Sequence, residues 1–267
     1  MKNSMIGFIG LGNMAKAMIG GMLEKGAADA GNIIGSAKTE KTAKEAAGQL
    51  HIQTTTDNRR VAESAEILFL AVRPQFMAEV VSEIKDCITD DILIVSIAAG
   101  KTIEELTAMF GKKLRLIRCM PNTPALVGEG CTGVCRNENV TEEEMECVMK
   151  LLTSFGTASE VREELMDAVV GVSGSSPAYV FLFIEAMADS AVAAGMPRKQ
   201  AYEFAAQAVL GSAKMVLETG KHPGELKDMV CSPAGTTIEA VKVLEEKGFR
   251  GIVMDAALAC VKKSKEL

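Results

Sequence analysis

Apolar and polar positions change rhythm along this chain, and the change divides it. Residues 5–9 form a short apolar run that enters Gly10-Leu-Gly12, after which Met14, Met18, Ile19 and Met22 recur at helical spacing. The runs at 32–38, 67–72, 92–97 and 114–120 are short, rich in isoleucine, valine or leucine, and separated by amphipathic stretches. Such alternation predicts a doubly wound parallel sheet with helices on both faces. Two further strands are expected at 132–136 and 157–161, flanking an acidic helix over 141–155 whose Thr141 and Glu144 have capping-box spacing. Beyond residue 162 the strand rhythm stops. Helical periods over 177–194, 198–218, 223–230, 236–247 and 251–265, punctuated by glycine and proline, predict an all-helical region. The expected organisation is α/β: a Rossmann-type domain over 1–161, then an all-α domain over 162–267.

The first turn has the chemistry of an anion site. Gly10 permits a tight turn, Gly12 has no Cβ to obstruct phosphates, and Ala15 lets the helix lie close to the strand. Leu11, Asn13 and Met14 complete the segment, with Asn13 expected to cap the turn. The N–H groups of the first helical turn and the positive end of its dipole then face the ligand, a dinucleotide pyrophosphate. The acid expected about 20 residues further on, which would bind both ribose hydroxyls of NAD, is missing. Ser36 and Lys38 stand there instead, a hydroxyl donor and a cation suited to a ribose 2′-phosphate. NADP(H) is therefore the expected cofactor, with NAD(H) second. The competing reading is that Lys38 begins a solvated helix over 38–49. The loops Val72-Arg73-Pro74, Ala98-Ala99-Gly100 and Pro121-Asn122-Thr123-Pro124 follow later strands. In a parallel sheet they gather at the carboxyl edge beside the glycine turn, as further candidates for cofactor contact.

Composition narrows the partners. Over 267 residues the net charge is −6, which argues against nucleic acid and leaves an anionic cofactor to local dipoles and a few cations. Seven cysteines without paired spacing and only two histidines give no zinc site. They read as reduced, scattered, mostly buried thiols of a cytoplasmic protein. His51 and His222 read as structural. No export leader is visible ahead of the first strand, and the apolar run 178–184 ends at Glu185, short of the roughly 20 residues that span a bilayer. The helix that contains this run is nonetheless apolar on nearly every side. A small domain cannot surround it, so a second subunit is expected to cover it.

Four motifs in the helical half carry a resemblance. Ser173-Gly-Ser-Ser-Pro-Ala-Tyr-Val-Phe-Leu-Phe-Ile-Glu-Ala186, Ala206-Gln-Ala-Val-Leu-Gly-Ser-Ala-Lys-Met215, His222-Pro-Gly-Glu-Leu-Lys-Asp-Met-Val230 and Cys231-Ser-Pro-Ala-Gly-Thr-Thr-Ile238 resemble the pyrroline-5-carboxylate reductases. The likeness runs from the glycine turn to Ser264-Lys-Glu-Leu267, essentially the whole chain. It implies reduction of a five-membered cyclic imino acid by hydride from NAD(P)H, the last step of proline synthesis, in a homodimer that can build larger rings. The loop 232–237 leads into a helix, so N–H groups near Gly235, Thr236 and Thr237 suit the substrate carboxylate, with the Ser232 hydroxyl as a further donor. By the resemblance, Thr237 bonds the ring nitrogen, Asn58 lies near the adenosine ribose and its 2′-phosphate, and Ala98 and Asn122 lie near the nicotinamide.

The chain departs from the family at Ser176 and Ala234, where glycines are usual, and at Val170-Gly171, which replaces a Thr-Ala step. Ser176 has a hydroxyl able to cap the following helix. Of three alternatives, two remain at this point. A β-hydroxyacid dehydrogenase needs a lysine on the first interdomain helix, and none occurs between Arg162 and Arg198. A reductase of a six-membered cyclic imino acid would keep every motif, and a non-catalytic NADP sensor would account for the altered glycines.

Overall fold

The computed structural model describes residues 4–266; residues 1–3 and Leu267, which closes the last motif of the resemblance, lie outside the described residues. The chain forms two compact units, one of Met1–Ser175 with Ala259–Leu267 and the other of Ser176–Leu258.

The first unit is a sheet covered by helices. In chain order it holds β1 (Ile6–Ile9), α1 (Asn13–Glu24), β2 (Ile33–Ser36), α2 (Glu40–Leu50), β3 (Gln53–Thr55), α3 (Asn58–Ser64) and β4 (Ile67–Leu70). Then follow α4 (Met77–Ile84), β5 (Leu93–Ser96), α5 (Ile103–Phe110), β6 (Arg115–Met120), β7 (Gly130–Arg136), α6 (Glu142–Leu152), β8 (Gly156–Glu160) and the short α7 (Met166–Val169). The eight strands lie in the order β3-β2-β1-β4-β5-β6-β7-β8. Strands β1, β2, β4 and β5 are buried at every position, as parallel strands covered on both faces must be. Phe8 and Phe69 sit opposite one another on β1 and β4 and stack with ring centroids 4.6 Å apart.

Two features of this unit's strands and helices depart from the sequence expectation. Strand β7 runs antiparallel to β6, so the sheet is not wholly parallel. The link between them is a short 3-10 turn over Thr123–Val127 closed by left-handed Gly128, too short for a parallel crossover of a dozen residues. The pair β3 and α3 has no apolar run to announce it. Its helix depends on Asp57, whose carboxylate accepts from the Arg59 and Arg60 N–H groups.

The second unit is helical: α8 (Ser176–Ala193), α9 (Arg198–Thr219), α10 (Pro223–Val230), α11 (Thr236–Glu246) and most of α12 (Phe249–Ser264). Left-handed Gly220 ends α9, and His222 caps α10 by accepting from the Gly224 N–H at 3.0 Å, the structural part expected of that histidine. His51 likewise closes α2 in the left-handed conformation. Ser176 is the first residue of α8, one residue beyond a π-helical turn over Val170–Gly174, and so stands inside the helix and not at its cap position. The core of this unit is confined to Ala188, Ala201 and Ala205 with a few half-buried neighbours. Phe181, Leu182, Phe204 and Leu217 are exposed, Leu217 by 82%. Among the described residues one helical stretch, Glu163–Ala193, is long and apolar enough to cross a membrane by length and composition, a length the strict run 178–184 did not reveal.

None of the seven cysteines forms a disulfide, but only Cys87, Cys119 and Cys135 are buried and Cys131 is exposed, so the thiols are not mostly buried. Burial pushes the Cys119 thiol well above its ordinary value and Cys135 up to about 12, which removes both as thiolate nucleophiles.

Candidate functional site

Strands β1 and β4 are neighbours although the chain visits β2 and β3 between them, so the winding reverses direction at this point. Loops leaving the carboxyl ends of adjacent strands in opposite directions open a crevice there. The structure has a cleft of about 420 Å³ at this place, lined by Gly10, Leu11, Gly12, Ser36, Lys38, Asn58, Val72 and Arg73 among others. Eight of the residues marked for the cofactor thus come together.

Two glycines shape the mouth of this cleft. Gly10 has φ +99°, and a Cβ on it would stand 2.6 Å from the Ala71 carbonyl oxygen, so the turn admits glycine alone. Gly12 has ordinary backbone angles, and a Cβ there would meet no protein atom within 4 Å. It borders open space at the N-terminus of α1. That helix has twelve residues, is capped by Gly12 with no side-chain hydrogen bond, and carries no acid in its first turn. Its leading N–H groups have no partner within the helix. Asn13 is the first helical residue and not the cap, because Gly12 already occupies the cap position. Ala15 is buried and Met14 half-buried; they pack α1 on the sheet without lining the cleft.

Around the rim, Lys38 precedes the true cap of α2, Thr39, and so does not begin that helix. Its ammonium lies 5.2 Å from the centre of the Phe76 ring, which holds the cation at the cleft. Ser36 departs from its expected use. It is fully buried and donates its hydroxyl proton to Asn58 Oδ1 at 2.6 Å, so that proton is not free for a phosphate. Asn58 Nδ2 in turn donates to Glu83 Oε2 at 2.7 Å. Neither Glu83 nor Glu79, which also lines the cleft, was legible as a site residue, because both come from α4 and belong to no motif.

The other marked residues lie outside this cleft. Pro74 opens a 3-10 turn, Ala98 is buried and Ala99 half-buried after β5. Asn122 is buried and clamps backbone: its Oδ1 accepts from the Cys131 N–H at 2.8 Å and its Nδ2 donates to the Ser173 carbonyl at 2.9 Å. Both ends of that amide are committed, one to the start of β7 and the other to the π-helical turn over Val170–Gly174.

The second unit presents its own helix start. Gly235 caps α11 with no side-chain bond and donates its N–H to the Ser232 carbonyl at 3.0 Å, closing a tight turn. Ala234 takes φ +55°, a left-handed angle that an alanine adopts only under strain. Ser232 and Thr236 are exposed, Gly235 and Thr237 half-buried, and the leading N–H groups of α11 have no partner within the helix.

With this geometry in place the relatives can be compared. A family model described as NADP oxidoreductase, coenzyme F420-dependent, matches residues 5–100, and one described as pyrroline-5-carboxylate reductase dimerisation matches residues 163–267. The fold and cleft define the class of nicotinamide-nucleotide oxidoreductases. Pyrroline-5-carboxylate reductase of Escherichia coli is 53% identical over 98% of this chain and 97% of its own. The solved structure of the Coxiella burnetii pyrroline-5-carboxylate reductase superposes with a TM-score of 0.91 at 35% identity, covering 99% of this chain and 98% of that one. The crystal structure of the Plasmodium falciparum pyrroline carboxylate reductase with NADP bound gives a TM-score of 0.90 at 32% identity, covering 100% and 98%. The chain belongs to the pyrroline-5-carboxylate reductase family. It carries that family's dimerisation region, which accounts for the exposed apolar helices of the second unit as a self-association surface.

Proposed function

We propose that this enzyme reduces 1-pyrroline-5-carboxylate to L-proline with NAD(P)H, NADPH being preferred, as the last step of proline biosynthesis. The observation that carries the reading is that 53% identity to a pyrroline-5-carboxylate reductase extends over 98% of the chain, through both units. Residues 1–161 serve the cofactor; residues 162–267 serve substrate and dimerisation.

The residues present fit a dinucleotide. The amides at the start of α1 take the pyrophosphate in the space beside Gly12, and Lys38 and Arg73 supply positive charge for a 2′-phosphate. Asn58 lies at the ribose. Ala98, Ala99 and the loop held by Asn122 belong to the nicotinamide end, where the bound cofactor supplies hydride. The amides of Gly235, Thr236 and Thr237, with the Ser232 hydroxyl, hold the substrate carboxylate. Thr237 hydrogen-bonds the ring nitrogen and presents one imine face. An imine nitrogen is basic enough to be protonated from water, so neither histidine is needed as an acid, and the protein acts mainly by positioning.

The test mixes purified protein, NADPH and pyrroline-5-carboxylate and follows nicotinamide absorbance. Saturable NADPH binding without oxidation would make the protein a sensor, and faster turnover of the six-membered homologue would move the substrate. Thr237→Ala is expected to lower kcat at least about tenfold, the loss of one hydrogen bond of about 1.4 kcal/mol, with NADPH affinity unchanged. We further read the assembly as a homodimer able to form a ring of dimers, in the cytoplasm. Sedimentation at micromolar concentration checks the assembly, and a monomer overturns it.

A further inference from the structure

The tip of β2 has no acid, but a carboxylate from another element stands at the same cleft. Glu83 on α4 lies at the end of a hydrogen-bond chain that begins at Ser36 on β2 and passes through Asn58 at the start of α3, with links of 2.6 and 2.7 Å. The sense of this chain is fixed by one member. A carboxylate only accepts, so Glu83 draws the amide nitrogen of Asn58 toward itself and turns the amide oxygen toward Ser36. The buried Ser36 must then donate its single proton inward to that oxygen. Two consequences follow at the cleft that Lys38, Arg73, Asn58 and Glu83 share. The serine is spent as a phosphate donor, and an exposed carboxylate stands among the cations that would receive the phosphate.

We propose that Glu83, held by Asn58, is the residue that discriminates between NADH and NADPH at the ribose 2′ position, in opposition to Lys38 and Arg73. A 2′-hydroxyl can donate to this carboxylate, as it does to the acid at the end of the second strand in NAD-binding folds. A 2′-phosphate meets like charge and competes with Glu83 for the Asn58 amide. Glu83 therefore holds the preference for NADPH below what the two cations alone would give, and keeps NADH in use. This rests on the reading of the cleft as the cofactor site.

The test is direct titration of full-length wild type, Glu83→Gln and Glu79→Gln with NADPH and with NADH, followed by nicotinamide fluorescence and needing no substrate. Glu83 is exposed, so its amide variant removes a charge without opening the core. The expected result is that Glu83→Gln raises the ratio Kd(NADH)/Kd(NADPH) about tenfold, the scale of one charge-assisted hydrogen bond, with NADPH tightening and NADH weakening. Glu79→Gln, the same charge change in the same cleft without the Asn58 link, is expected to move the ratio less than about threefold. An unchanged ratio in Glu83→Gln, or an equal shift in Glu79→Gln, overturns the assignment while leaving the cofactor site intact. Failure of the wild type to bind either nucleotide overturns the cofactor reading and this inference with it.

Discussion

The two units differ in what they do with large apolar side chains. In the first, Phe8, Phe69, Met18, Ile19 and Met22 are wholly buried, and every position of the central strands is inside. In the second, only alanines are fully buried, while Phe181, Leu182, Phe204 and Leu210 face outward at 55–68% exposure. Composition does not explain the contrast, since both units are rich in leucine, valine and alanine. The first closes its core within one chain, whereas the second has helices whose apolar faces exceed what five helices can cover. Stability in the first is then expected to be independent of protein concentration, and in the second to rise with it.

This contrast can be broken by mutation. Phe8→Ala removes a stacked ring from the β1–β4 pair and is expected to cost about 3–5 kcal/mol, equal at all protein concentrations in denaturant unfolding. A concentration-dependent loss would show that the first unit also leans on a partner. Leu182→Asp is expected to act the other way. It removes an exposed leucine at a cost of roughly 2 kcal/mol per copy when covered, so sedimentation should show a dimer dissociation constant raised by about three orders of magnitude across a two-fold interface. An unaltered dimer would place the interface on another face.

Two smaller effects sharpen the picture at single residues. Alanine in the left-handed region costs about 1–2 kcal/mol, and glycine loses roughly 0.5–1 kcal/mol more chain entropy on folding. Ala234→Gly should therefore stabilise the second unit by about 0.5 kcal/mol, read as a rise in Tm. In the first unit, the Thr102 backbone N–H bonded to Glu105 holds that carboxyl below its ordinary value of 4.5. Its contribution is complete above that value and is lost as pH falls through the lowered one. Glu105→Gln should accordingly cost a few tenths of a kcal/mol at neutral pH and nothing in strong acid, measured by urea unfolding across that window.

Local signals were legible in the sequence and cross-element ones were not. The capping box at Thr141 and Glu144 forms as its spacing implied, and one of the same spacing also forms at Thr102 and Glu105, where the helix it starts is only eight residues long and has a shorter periodic signature. Helix α10 has the anticipated bounds, since a capping histidine, a proline and the turn beyond Cys231 mark both ends in sequence. The glycine turn could be read because all its parts are contiguous. The link from Ser36 to Glu83 could not, for it joins residues 22 and 25 positions apart whose meeting depends on how β2, α3 and α4 pack. Asn122 shows the same limit from another side: its place in a loop was plain, but only packing reveals that its amide is spent on Cys131 and Ser173.

Residues 259–266 return to the first unit, where the Ser264 hydroxyl donates to Asp167 Oδ1 at 2.6 Å. The polypeptide thus leaves that unit once and comes back, which makes the helical unit an insert rather than an appendage. Exchanging it between relatives takes two seams, one after Ser175 and one after Leu258. A chimera joined at the first seam alone would also replace the segment that supplies Ser264.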